Sequence, residues 1–242
     1  GGNLEEDAAT IITRLKDAGV TSVLFGGDPY MPIFLTQQAT AQGYSPEWVM
    51  TGFTALDVPQ FARQYDQAQW EHAFGLSLLL PPIDPEWTQT QGNLVTWWLG
   101  EELSSYPGIY DWGRFFTAIH LAGPELTPET FRDGLWSFEP VSGHQTEFAV
   151  SYGEGLWPWP DFQGADDVTE IWWDPDERDP RAENEEGLGM YRYVNGARRY
   201  LPGELTGSEG TLFDEDGTVV MFDERPASDR PPTYPPRTSR EG

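Results

Sequence analysis

The chain has 242 residues, long enough for one large domain or two small ones, with 38% hydrophobic and 14% aromatic residues. Fourteen Lys and Arg against 40 Asp and Glu give a net charge of −26, a field that repels nucleic acid and anionic membrane surfaces. There is no cysteine, so disulfides, thiolate metal sites and cysteine nucleophiles are excluded.

Leu4, Ala8, Ile11, Ile12, Leu15 and Ala18 recur at helical spacing, and Gly19 supplies a stop. Residues 20–25 form a short β-rich run of the kind buried in parallel sheets, broken by Gly26-Gly27-Asp28-Pro29. A second helix is predicted over 32–42 and a second strand over 47–51. Asp57 is placed to cap a third helix with Pro59 in its first turn. A third strand is predicted over 73–80, closed by Pro81-Pro82. Strands alternating with helices imply right-handed crossovers and a parallel sheet. Opening on a helix, with a thin sheet of three strands, leads to the expectation that further strands belong upstream.

The middle reads as helical: an apolar segment over 93–103, an amphipathic stretch over 110–121, and a helix capped by Thr127 with Pro128 at its start and Gly134 past its end. Ile171-Trp172-Trp173 reads as a strand ending at Asp174-Pro175. Residues 189–194 and 197–201 read as a hairpin turning at Asn195-Gly196. Residues 211–213 and 218–222 flank a turn at Asp216-Gly217, and from Ala227 the chain is Pro-rich, with extended or disordered character expected. No run approaches the roughly 20 apolar residues of a membrane span. No signal sequence is visible in this chain.

Ligands of open α/β sheets bind at the carboxyl ends of the strands, which selects Asp28, Pro29 and Tyr30 after the first strand and Gly52, Phe53 and Thr54 after the second. Helix amides beside Asp28 favour an anionic group, and Asp28 itself can cap the helix or hold an ammonium. Glu101-Glu102 are adjacent and point to different sides of a helix, which does not specify a hydrolytic pair. His72, His120 and His144 match no metal spacing, and no GxSxG, P-loop or GxGxxG occurs. Asp214-Glu215-Asp216-Gly217 begins like a calcium loop but lacks the remaining ligands, so a turn is expected. The pairs Trp97-Trp98, Trp157/Trp159 and Trp172-Trp173 serve either as core packing or as sugar platforms.

One set of segments carries a resemblance. DAATIITRLKDAGVTSVLFGGDPYMPIFLTQQATAQGY, EWVMTG and HAFGLS resemble the C-terminal half of type I periplasmic binding proteins, in particular the Leu/Ile/Val-type substrate-binding subunits of ABC transporters. FFTAIHLAGPELTPETFRDGL is similar to that family's late helix pair. TEIWWDPD and GMYRYVNGARRYLPGE are similar to its return strands, and FDERPASDRPPTYPP to the tail of longer members. The resemblance implies an α/β fold: a parallel sheet flanked by helices, an incomplete two-lobe arrangement, and a β-rich, Pro-rich C-terminal extension. It divides the chain into 1–82 (later part of lobe two), 83–150 (helical crossover and late helices of lobe one), 151–205 (return strands and hairpin) and 206–242 (hairpin and tail). It further implies a non-enzymatic, extracytoplasmic protein, periplasmic or a cell-surface lipoprotein, without cofactor or metal. Its ligand would be a small polar molecule, such as a branched-chain amino acid or amide, trapped between two lobes.

The partners implied are that ligand, an ABC permease in the membrane, and the N-terminal half of the same protein, missing here; nucleic acid is not among them. Asp28-Pro29-Tyr30 and Gly52-Phe53-Thr54 match ligand-contacting loops, and Tyr110 and Trp112 fall near the hinge crossing. The family's acidic residue for the ligand ammonium has no match at Phe53 or Thr54. With one wall of the cleft absent, this chain alone is expected to bind ligand weakly and to associate through an exposed sheet edge. Two other readings stand beside this one: a carbohydrate-binding or glycoside-hydrolysing protein using Trp platforms and acidic residues, and a receptor ligand-binding domain on the same fold.

Overall fold

A computed structural model describes residues 3–84, 109–182, 187–205 and 212–224. The chain forms two compact units, Gly1–Pro81 with Val168–Val220, and Pro82–Asp167 with Met221–Gly242. It passes between them three times, at Pro81/Pro82, Asp167/Val168 and Val220/Met221.

The first unit is an α/β layer. Helix α1 (Leu4–Asp17) buries Ala8 and Ile12 and packs on α2 (Met31–Ala41), which buries Leu35, Thr36 and Ala39. Strands β1 (Ser22–Phe25), β2 (Glu47–Thr51) and β3 (Ala73–Ser77) are parallel neighbours, joined through α2 and the short helices α3 (Pro59–Ala62) and α4 (Gln67–Trp70). Alternation along β2 sends Trp48 and Met50 to one face, in register with Ala73 and Gly75. That face is the core, where Tyr65 meets Trp70 edge to face and Trp48 packs against Trp70 at a tilt. Small residues on β3 make room for it: a Cβ on Gly75 would lie 2.0 Å from the Met50 carbonyl oxygen.

The sheet is mixed, not wholly parallel. Beyond β3 come β4 (Val168–Arg178) and β5 (Leu188–Tyr193), both antiparallel to their neighbours, giving the order β1-β2-β3-β4-β5. The strand containing Ile171-Trp172-Trp173 does not end at Asp174-Pro175; it continues to Arg178 across a register shift. Proline lacks an N–H, and the irregular stretch is where that loss is tolerated. Asn195-Gly196 is not a hairpin turn either. Strand β6 (Arg199–Tyr200) pairs with β4, on the edge that β5 also uses. Asn195, Gly196 and Ala197 all take positive φ (52°, 62° and 64°), a left-handed kink after which the chain resumes beside β4.

In the second unit α5 (Ile109–Ala122) packs on α6 (Pro128–Trp136). Thr127 and Thr130 form a reciprocal capping box at the start of α6. Gly134 lies inside α6 rather than after it. A Cβ there would sit 2.6 Å from the Ala122 amide nitrogen, so its small size sets the helix approach. Irregular loops follow, pinned by bridges Val141–Val150 and Gly153–Asp161 and by the buried Asp167 carboxylate, which accepts from the Ala149 amide at 2.9 Å. Phe222 bridges Ile83, and Val219 bridges Tyr193 within the first unit, so residues 218–222 pair with neither Leu212 nor Phe213.

Candidate functional site

Parallel strands bring the loops after β1 and β2 to the same edge of the sheet. In the first loop Asp28 Oδ1 accepts from the Tyr30 and Met31 amides at 2.9 and 3.1 Å and so caps α2. Tyr65 donates its hydroxyl to the Pro29 carbonyl at 2.8 Å, tying the loop to the segment between α3 and α4. Burial, then the nearby Asp28 charge, holds the Tyr65 phenol well above the ordinary tyrosine range, so it stays a donor. Tyr30 packs edge-on against Phe61 at 5.5 Å yet remains 56% exposed.

The second loop rests on a polar hub. Asp57 is 2% exposed and accepts the Ser77 hydroxyl at 2.6 Å, while the Leu79 amide donates to that hydroxyl at 2.9 Å. Burial raises the Asp57 carboxyl above its ordinary value. Hydrogen bonds from Ser77 and from the amides of Asp57, Leu78 and Leu79 oppose the shift without cancelling it. A Cβ on Gly52 would come within 2.7 Å of both Asp57 Oδ2 and the Leu78 amide, so glycine is required for this close approach. Tyr191, held by Trp70 Nε1 at 3.1 Å, donates to the Leu56 carbonyl and fixes the far end of the loop. Above this base Phe53 is 75% exposed, and the Thr54 hydroxyl is shielded from water without a hydrogen-bond partner among the described residues.

The fold thus places Asp28, Pro29 and Tyr30 beside Gly52, Phe53 and Thr54, at the carboxyl ends of adjacent strands. Chemically this is an edge with two exposed aromatic rings, one unused hydroxyl and a helix N-terminus already capped by Asp28. It contains no nucleophile with a base beside it. Tyr110 and Trp112 lie on α5 of the second unit, and their side chains fall outside the described residues. Sequence reading took Asp57 for a helix cap. Val58 occupies that position, and the carboxylate turns inward to Ser77. A buried hub and an exposed cap present the same residue in the same local pattern; the one signal available was Ser77, a polar residue ending an otherwise apolar strand.

The other described candidates resolve as packing, ion pairs or turns, apart from the pair Trp157/Trp159, of which Trp159 is 63% exposed. Trp173 is fully buried and donates to Gln67 at 2.8 Å, and Trp172 is buried on the opposite face beneath Arg192. Trp157 and Trp159 are stacked, 6.3 Å apart. Trp97, Trp98, Glu101 and Glu102 lie outside the described residues. His72 pairs with Glu71 and His144 with Glu147. Among the described residues no group of three or more His, Cys, Asp or Glu is arranged to hold a metal ion. Asp214 Oδ1 accepts from the Asp216 amide in a local turn. Among the described residues no helix is long and apolar enough to cross a membrane.

No family model matches the sequence, and no curated protein matches it. Among solved structures the chain is similar to an ABC transporter substrate binding protein from Aeropyrum pernix, with 15% identity and a TM-score of 0.48 over 84% of this chain. The chain spans about half that protein, 50% of its length.

Proposed function

We propose that this chain is part of a solute-binding subunit of an ABC importer, of the type I periplasmic-binding-protein kind, working outside the cytoplasm and handing its ligand to a membrane permease. The observation that carries the reading is the pair of loops at one carboxyl edge, Asp28–Tyr30 and Gly52–Thr54. Each is immobilised from below by buried hydrogen bonds and each presents an exposed aromatic ring. Binding sites are built in this way, with the positioning groups buried and the contact groups left open. In this reading the site holds its ligand and does no chemistry on it.

In this reading Tyr30 and Phe53 cover the apolar part of a small polar molecule, such as a branched-chain amino acid or its amide, and the Thr54 hydroxyl receives one of its polar groups. Tyr110 and Trp112 are proposed as further ligand contacts on the family resemblance alone. The test is calorimetry on the full-length polypeptide against amino acids, amides and short peptides. Micromolar binding of one class is expected, and Phe53→Ala weakens it at least tenfold, about 1.4 kcal/mol. Absence of heat and of any thermal shift with every class overturns the proposal.

A further inference from the structure

The second unit carries an aromatic surface that its own packing leaves open. Gly153 and Asp161 exchange both backbone hydrogen bonds, at 2.8 and 2.7 Å, and close the loop 154–160 between them. Asp161 also accepts from the Gln163 and Gly164 amides. The buried Asp166 accepts from the Ser151 hydroxyl at 2.6 Å and from Trp157 Nε1 at 3.1 Å, fixing the first indole. Trp159 stacks on that indole with an interplanar angle of 17°. Trp159 is 63% exposed and Phe162 57%, with Leu156 open beside them. Several large apolar side chains open on one short, well-pinned loop mark a binding surface more often than idle exposure.

Charge selects the occupant. Residues 151–167 hold Glu154, Asp161, Asp166 and Asp167 and no Lys, Arg or His. Glu154 is exposed and Asp161 half-buried. A carboxylate that accepts an indole N–H pushes electron density onto the ring, so Asp166 makes the face of Trp157 more negative. The same cluster already holds one cation: the Arg132 guanidinium lies over Trp136 at 5.3 Å while bonded to Asp133, and Trp136 in turn meets Phe162 at 5.5 Å. Arg132 serves the inner ring, and the outer rings are left open. We propose that the loop binds a small organic cation with a methylated ammonium head, its methyl groups against Trp159 and Phe162 and its charge neutralised by Glu154 and Asp161. Methylation decides the class. A bare ammonium is strongly hydrated and gives up its water at an open site for little return, whereas methyl groups bury against aromatic faces and keep the charge. A neutral sugar stacking on Trp159 gains nothing from the acids around it, and an anion is repelled by them.

The experiment uses the whole chain with choline chloride as the probe, read on the indole N–H resonances of Trp157 and Trp159. Choline is expected to shift both signals with a dissociation constant of about 0.1–10 mM, weakening as salt rises, the range that a few open cation–π contacts support. Ethanolamine, the same molecule without the methyl groups, should bind at least about fivefold more weakly. Trp159→Ala should weaken choline binding at least about tenfold, and Trp159→Phe, which keeps a ring, should restore part of it. Glu154→Gln should cost about threefold and flatten the salt dependence. Both positions are exposed, and circular dichroism checks that each variant folds. Choline that shifts neither signal, or that binds Trp159→Ala equally well, overturns the proposal. So does a surface that takes up glucose or phosphatidylcholine vesicles while ignoring free choline.

Discussion

Asp57 shows how one side chain organises a loop at a cost. Its carboxylate has a hydroxyl and backbone amides to accept from, but burial outweighs them and the folded protein holds its proton more tightly than the unfolded chain does. The sign follows: Asp57 contributes most to stability below its ordinary value of 3.8, and the contribution falls as pH rises through the raised value. Asp57→Asn cannot titrate, so the gap between the melting curves of the two proteins should move in favour of the variant as pH climbs from 3.8. A gap that stays constant across that range, measured by calorimetry, would show that the carboxyl is already ionised without penalty. The residue also marks where reading from sequence stopped. Asp28 was legible because its cap is local, closed within three residues. Asp57 was not, because its partner lies 20 residues away on a neighbouring strand, and local pattern holds no record of what a fold brings together. Tyr191 and Trp70, which hold the Leu56 carbonyl from the other side, were hidden for the same reason.

Elements with strong local signals were read nearly to the residue, such as β2 at Glu47–Thr51 and the Thr127 cap of α6. The failures involve choice of partner. Gly134 resembles a helix stop but is a contact point between helices, and β6 resembles half of a hairpin but joins β4. This sets up a competition of magnitudes at Gly134. Alanine there improves helix propensity by about 1 kcal/mol. Its Cβ, 2.6 Å from the Ala122 amide and 2.9 Å from the Ala118 carbonyl, meets backbone that cannot swing aside, and overpacking of this kind costs about 1–3 kcal/mol. Gly134→Ala is therefore expected to lower the urea midpoint. A rise would mean that α5 and α6 separate at little cost.

At the scale of the whole molecule, a net charge of −26 on 242 residues sets acidic groups against one another across the surface. Ions screen such repulsion, with a decay length of about 10 Å at 0.1 M and about 3 Å at 1 M. Raising sodium chloride from 10 mM to 0.5 M should stabilise the protein by about 1 kcal/mol, which for a chain of this size is roughly 2–4 °C in Tm. A fall in Tm would show that the surface acids are mostly engaged with Arg, as Asp174 and Glu177 are with Arg192.

The antiparallel partner of β3 has a consequence for how the chain is made. Strands β1 to β3 are complete by Ser77, but β4 begins at Val168, about 90 residues later. Closing a loop of that length costs little more entropy than closing a shorter one, since each doubling adds only about 0.6 kcal/mol. The delay is the larger matter. At a synthesis rate of about 5–20 residues per second, the open side of β3 waits several seconds for its partner. During that interval a run of Ala, Phe, Gly and Leu offers unpaired amides and carbonyls to any neighbouring strand. Folding of this protein on the ribosome is thus a race between emergence of β4 and capture of β3 by another chain.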